Sequence, residues 1–245
     1  MSRTRSRVVT GAGSLLALAV ATQSCVPAPA TGSPGPTMPP APTVLLLPSP
    51  RTVGAVSVEE ALASRRSVRE FASRPLSSAQ VGQLLWAAQG VTDVQGRRTA
   101  PSAGALYPLE LYAVSAQGTF RYLPDEHALA TVRKGDQRQE LRAAALGQDA
   151  VATAPLVVVI AAVPARTAAR YGQERAIRYI QLEAGHAAQN LLLQAVALGL
   201  GSVPVGAFDD SRVAATLGLS SDQMPLYLLP VGYPAGAAEL SPGST

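Results

Sequence analysis

An α+β fold for roughly residues 55 to 236 is predicted by three features of the sequence. Leu156 to Ala162 is a continuous apolar run, the pattern of a central strand buried on both faces. A long helical pattern runs from Gln173 to Leu198 and stops at Gly199. Between Leu109 and Leu123, two β-like runs flank the turn pair Gln117-Gly118, which reads as a hairpin. Strands and helices therefore mix without the regular alternation of a parallel β-α-β sheet.

The remaining elements follow in order. The domain opens at about Val56, where Ser57-Val58-Glu59-Glu60 has the form of a capping box, so a short helix is expected over 58 to 64. Ser77-Ser78-Ala79-Gln80 opens a second helix. Its apolar positions Val81, Leu84, Leu85 and Ala88 share one face, and Gly90 ends it. After the long helix, Ser202 to Val205 is β-like, Asp209 or Asp210 caps another helix, and Leu226 to Val231 is a last strand.

The N-terminus has a different character. A basic stretch, Ser2 to Arg7, precedes an apolar run, Val8 to Thr22, that is short for a membrane span. Residues 1 to 25 are read as an export signal. Thr22-Gln23-Ser24-Cys25 resembles the processing site of bacterial lipoproteins, and Ala28-Pro29-Ala30 is a weaker competing site. An extracytoplasmic protein held to the membrane by a lipid on Cys25 is the expectation, with a cytoplasmic protein as the alternative. Residues 26 to 54 are expected to be a disordered linker, because nine prolines between 27 and 50 alternate with small residues that cannot build a core. Residues 237 to 245 read as a tail.

Composition excludes several function classes. The net charge is +4, and removing Arg3, Arg5 and Arg7 leaves +1, so the domain lacks the clustered basic surface of a nucleic-acid binder. Two histidines and a single cysteine make a His/Cys metal cage implausible and an intrachain disulfide impossible. The chain has no Gly-x-Gly-x-x-Gly, no phosphate loop ending in Gly-Lys-Ser/Thr and no Gly-x-Ser-x-Gly elbow.

An arginine cluster and two small-residue loops remain. Arg65, Arg66 and Arg69 surround Ser67, and guanidinium groups grip phosphate through paired hydrogen bonds. The same cluster also fits a solvated basic face. Pro101-Ser102-Ala103-Gly104-Ala105-Leu106-Tyr107-Pro108 directly precedes a strand. Gly199 to Asp209, which contains Pro204, Val205 and Gly206, follows the long helix. Small residues let backbone approach a flat ligand, although each loop alone fits an ordinary tight connection.

In this order and spacing, the segments resemble the nitroreductase family of flavoproteins, in particular its SagB-type dehydrogenase branch, which includes azoline oxidases of peptide-modifying pathways. The resemblance runs from Ser64 to Phe71, through Pro101 to Pro108, Leu146-Gly147-Gln148, Ala154 to Val158, Glu183 to Leu191 and Gly199 to Gly201, and ends at Pro230 to Pro234. It implies a central mixed or antiparallel sheet flanked by helices around a long core helix, and an intertwined homodimer with FMN at its interface. Arg65, Arg66, Ser67 and Arg69 would hold the phosphate, ribityl chain and pyrimidine edge. Ser102, Ala103 and Gly104 would approach the flavin from the partner subunit. Pro204, Val205 and Gly206 would lie along the ring near N5, with Gln148 a further candidate at the pyrimidine edge. NAD(P)H is a candidate co-substrate, with oxygen as oxidant the open alternative, beside a small-molecule or peptide substrate.

The long helix adds His186, read as a packing or dimer-interface residue, and Tyr179, a candidate proton donor that equally fits the core. Two departures from the family pattern stand out. The C-terminal Lys-x-Arg segment that grips FMN phosphate in many nitroreductases is absent, the last basic residue being Arg212. Ala105 also stands where classical members often carry Asn. Export of an unfolded chain would separate it from cytoplasmic FMN, which sustains a rival expectation: a lipid-tethered, non-catalytic binding domain that keeps only the fold.

Overall fold

The structure, a computed structural model, describes residues 43 to 236. The expected export signal, Cys25, most of the proline-rich linker and the C-terminal tail lie outside the described residues. The end of that linker does not match the expectation of disorder: Val44–Leu46 forms strand β1, paired antiparallel with a later strand through Leu45 and Leu129. Four consecutive apolar residues between prolines, Val44 to Leu47, are enough to add a three-residue edge strand where a partner is waiting.

Helices α1 (Val58–Ser64) and α2 (Ser78–Gln89) follow as expected. Ser57 caps α1 by accepting the Glu60 N–H at 3.1 Å, but the reciprocal box forms at α2, where Ser77 and Gln80 satisfy each other's backbone. Strands β2 (Leu109–Ser115), β3 (Gly118–Leu123) and β4 (Ala128–Lys134) make a meander. Helices α3 (Arg138–Ala144) and α4 (Asp149–Thr153) lead to β5 (Leu156–Ala162). Helix α5 (Pro164–Tyr171) starts with proline at its first turn, where no N–H is needed, and Gly172 separates it from α6 (Gln173–Ala197). Strand β6 (Gly201–Ser202), α7 (Asp210–Leu217) and β7 (Met224–Gly232) complete the chain. The β-like stretch expected at 202 to 205 splits into the two-residue β6 and a separate bridge from Val205 to Leu228.

The seven strands form one antiparallel sheet in the order β1-β4-β3-β2-β5-β7-β6. β5 lies inside it, between β2 and β7, and all seven of its residues are buried. Alternate side chains serve two cores. Leu156, Val158, Ile160 and Ala162 face α2 and α6, whereas Val157, Val159 and Ala161 face α3, α4 and α7. Each fully buried Val, Leu or Ile among them contributes about 1.5–3 kcal/mol relative to exposure. In α6, Ala176, Ile180, Ala184, Ala187, Leu191 and Ala195 form the buried stripe, and their small side chains let this long helix lie close to the sheet.

Register fixes where the candidate segments lie. Leu109, Ala162 and Met224 mark one end of the central strands, and Ser115, Leu156 and Val231 mark the other. β6 pairs at the second end, through Ser202 with Val231.

Candidate active site

The arginine segment leaves α1 and is laid along the β6 edge. Ser67 bridges Ser202 in parallel, Val68 donates its N–H to the Ser202 carbonyl at 3.0 Å, and Phe71 bridges Pro234. Ala72 N–H to Tyr233 O (2.9 Å) and Ala235 N–H to Glu70 O (3.0 Å) fasten the far end. The close approach requires glycine at 201, where a Cβ would stand 2.6 Å from Val68 Cβ. Arg65 is half-buried, and Arg66, Ser67 and Arg69 are exposed. Arg66 turns back onto its own helix, donating to Ala63 O at 2.9 Å and Arg65 O at 2.8 Å, so it also caps the end of α1. Among the described residues, none of the three arginines has a carboxylate partner. Beside them, Ser202 Oγ is buried without a hydrogen-bond partner.

The second loop adjoins this edge. Val205 is buried and exchanges both backbone hydrogen bonds with Leu228, at 2.8 and 3.0 Å, which leaves Pro204 and Gly206 exposed on either side. Gln148 ties the loop to the α3–α4 connection, its amide donating to Ala207 O and Ala145 O at 3.0 Å each. The structure thus brings Arg65, Ser67, Arg69, Ser202, Pro204 to Gly206 and Gln148 to one region. Gln148 acts there through the backbone it holds, both hydrogen bonds of its side-chain N–H₂ being directed at carbonyls of its own chain.

The loop from Pro101 to Pro108 is elsewhere. It enters β2 at Leu109, the end of the sheet opposite to Ser202. The seven-residue register of β2 on β5 separates the ends by roughly 20 Å at about 3.4 Å per residue. The loop is tightly folded: Ala105 N–H reaches Ser102 O at 3.0 Å, and Tyr107 N–H reaches Ser102 Oγ at 2.9 Å. Gly104, Ala105 and Tyr107 all take left-handed φ, at 63°, 54° and 44°. Asparagine adopts this conformation more readily than alanine, so Ala105 carries a conformational cost that the family's common residue would reduce. At Gly104 a Cβ would also stand 2.8 Å from the Tyr171 hydroxyl.

Behind this loop lies a polar network that no sequence motif marks. Arg98 stacks 4.6 Å over the Tyr107 ring and donates to Gln89 Oε1 at 3.1 Å. Glu183 of α6 is 3% exposed, with Ser102, Gln89 and Arg98 as its polar neighbours. Burial pushes its carboxyl up to about 7, against the opposing pull of the Ser102 hydroxyl and the Arg98 charge. Gln89 is near, yet Gln89 Nε2 and Glu183 Oε1 each lack a formed hydrogen bond. The available signal was a carboxylate set among Ala176, Ile180, Ala184 and Ala187, on the apolar stripe of a helix. Tyr179 packs edge-on against Tyr171 at 5.1 Å, and His186 is exposed. A separate cavity of about 450 Å³ lies under residues 51 to 58, against α1, α2 and α6, and none of the expected site residues lines it.

Residues 62 to 233 match the model of the nitroreductase family, so the chain belongs to that family. A protein of Methanocaldococcus jannaschii named as a nitroreductase is 43% identical over 183 residues, covering 72% of this chain and 91% of that protein. A solved structure from Ralstonia eutropha, also named as a nitroreductase, superposes with a TM-score of 0.72 at 32% identity, covering 81% of this chain and 96% of the other. A chain of the Escherichia coli microcin synthetase complex, solved with a truncated pro-microcin bound, gives a TM-score of 0.62 at 26% identity, with 74% of each chain covered. The fold is nitroreductase-like, and the chain is an oxidoreductase of that family.

Proposed function

We propose that this chain is an FMN-dependent oxidoreductase of the SagB-type branch, acting as an intertwined homodimer. One observation carries the reading. The two clusters expected to contact flavin lie at opposite ends of one sheet, so a single chain cannot close both on the same ligand. A two-fold copy that brings the Ser102 loop of one subunit to the β6 edge of the other completes the site. Val53, Val58, Leu62 and Leu182 are more than half exposed, which supplies apolar surface for such a partner.

The residues fit FMN. Arg65 and Arg69, free of carboxylates among the described residues, suit a phosphate and an electron-rich ring edge. Ser67 and the unpartnered Ser202 Oγ suit ribityl hydroxyls. Pro204, Val205 and Gly206 offer a narrow, mainly apolar ledge for a planar ring, and Ser102, Ala103 and Gly104 of the partner subunit would close it. Gln148 would hold that ledge in place. When bound, the flavin supplies the hydride-transfer chemistry, with NAD(P)H as the proposed reductant. An arginine at the pyrimidine edge stabilises the negative charge that develops there on reduction. The microcin complex and a 25% identical trifolitoxin operon protein of Rhizobium support a peptide or peptide-derived substrate. The N-terminal segment is proposed to export the protein and tether it through a lipid on Cys25.

The full chain, purified, is expected to be yellow, to absorb at about 450 nm and to bleach with NAD(P)H or dithionite. A colourless dimer that takes up no added FMN overturns the reading. Because Arg66 caps α1, Arg65→Ala with Arg69→Ala is the cleaner phosphate test: it should strip FMN and leave the dimer folded. A Cys25→Ser chain should leave the membrane fraction.

A further inference from the structure

The Ser102–Tyr107 loop holds three residues at left-handed φ, two of which are not glycine. Such a conformation persists only when its surroundings impose it. Three groups do so from behind. Arg98 stacks on the Tyr107 ring, Ser102 Oγ accepts the Tyr107 N–H, and Glu183, fixed in the middle of α6, faces the Ser102 hydroxyl. A buried carboxylate with one oxygen unpartnered is costly to keep in a helix whose neighbouring buried positions are alanine and isoleucine. The Ser102 hydroxyl, which accepts the Tyr107 N–H, is the neutral donor that faces this carboxyl from the loop.

We infer that Glu183 is a positioning residue: its carboxylate anchors Ser102 and, through Ser102, sets the backbone of the 102–107 loop. The inference rests on the reading that this loop closes over the flavin of the opposite subunit. Arg98 is the charged group facing the carboxylate. Gln89 is its neutral neighbour on α2, and Arg170 and Tyr171 flank Gly104 on the loop's other side. Burial pushes the carboxyl up to about 7 while the Ser102 hydroxyl pulls it down, so ionisation strengthens the contact with Ser102 as long as Glu183 stays buried, even though it costs the fold as a whole.

The test compares the full-length wild type with E183Q and E183A. Amide-exchange protection of the segment containing Ala105 and Tyr107 is measured without flavin, corrected for intrinsic rates. FMN dissociation constants are measured alongside, both from about pH 6 to pH 8.5. Wild type should gain protection and FMN affinity as pH rises through about 7. E183Q keeps the shape without the charge, so its loop protection should stay flat, and the ratio of its FMN dissociation constant to that of wild type should rise towards about tenfold at the alkaline end, the phosphate's own ionisation near about pH 6 cancelling in that ratio. E183A should lose the loop's protection at every pH. If E183Q reproduces the wild-type pH profile in both measurements, the inference is overturned. If wild type takes up no FMN, the flavin reading fails while the exchange profiles still decide the role of Glu183. If E183A does not fold, E183Q alone decides.

Discussion

Val68 gives its backbone N–H to Ser202 at 3.0 Å, while its side chain occupies the space that a Cβ on Gly201 would need. This one contact seats the arginine segment on the sheet edge. Gly201→Ala would place a methyl 2.6 Å from Val68 Cβ and Cγ2, and part of the obstruction lies close to backbone that cannot swing away. The expected cost is about 1–3 kcal/mol, as for other overpacked sites, with weakened flavin retention because Arg65 and Ser67 move with Val68. Adding Val68→Gly removes Cβ and both Cγ atoms from the clash, so the double variant should be less destabilised than the sum of the two single changes. Chemical denaturation of the double-mutant cycle checks this, and strictly additive effects would refute a direct clash.

Gln148 is predicted to matter through the loop it holds rather than by touching a ligand. Its amide satisfies Ala145 O and Ala207 O simultaneously. Gln148→Ala should cost about 1 kcal/mol, speed amide exchange across residues 203 to 208 and loosen the ledge formed by Pro204 to Gly206. Gln148→Leu fills the volume without the donors. If it behaved like wild type in loop exchange, the tether would be unimportant.

How much of this was legible follows from what kind of signal each element carries. β5, α6, α2 and the β2–β3 hairpin announce themselves through apolar runs, caps and turn residues, all local. β4 does not, because Ala128 to Lys134 ends in two charged residues and becomes a strand only by pairing with β3. α3, α4 and α5 are short and polar, and tertiary contacts decide them. The arginines, Ser102, Gln148 and Pro204 were named from motif order, but their division between two ends of the sheet depends on strand register. Glu183 has no local signal beyond its place in the family resemblance and on an apolar stripe, since a lone acid in a helix ordinarily lies on the wet face. The strand at Val44–Leu46 was hidden by the prolines around it.

A second stability element lies at the turn before α3. Arg138 grips both oxygens of Asp136, at 2.9 and 2.6 Å, and its NH1 reaches Ala154 O at 2.8 Å, joining α3 to the end of α4. The hydrogen bonds from Arg138 hold the Asp136 carboxyl below its ordinary value of 3.8. The folded value is depressed, so the stabilisation is fully present above the ordinary value and is lost as pH falls from there through the lower folded value. Arg138→Ala should cost about 1–2 kcal/mol near neutrality and less in acid, because it removes a charge-assisted fork and orphans a carbonyl. Equal losses at neutral and strongly acidic pH, measured by urea unfolding, would count against the pair.

The last prediction concerns the edge strand that the prolines concealed. His127 Nε2 lies 2.9 Å from Pro48 O, an acceptor only, so Nε2 carries the proton and Nδ1 accepts from the Tyr122 hydroxyl at 2.8 Å. Neutral imidazole therefore clips the chain after β1 to the β3–β4 turn. Burial lowers the His127 value below its ordinary 6.5, with the Pro48 carbonyl opposing. As pH falls through 6.5, the unfolded chain takes up the proton before the folded one, so the clip weakens towards acid. Protonation would also turn Nδ1 into a donor and force the buried Tyr122 hydroxyl to reverse its role. Amide exchange at Leu47 and Thr131 should accelerate between roughly pH 7.5 and pH 5.5 beyond the intrinsic trend. His127→Asn should flatten that dependence. Overall melting temperature is the wrong readout, because Glu183 acts in the opposite sense: its burial cost grows as pH rises from its ordinary 4.5 to about 7. The two groups lie in different parts of the fold, so exchange resolved to the β1 edge separates them. An unchanged acid response there in His127→Asn would show that His127 is not what releases the strand.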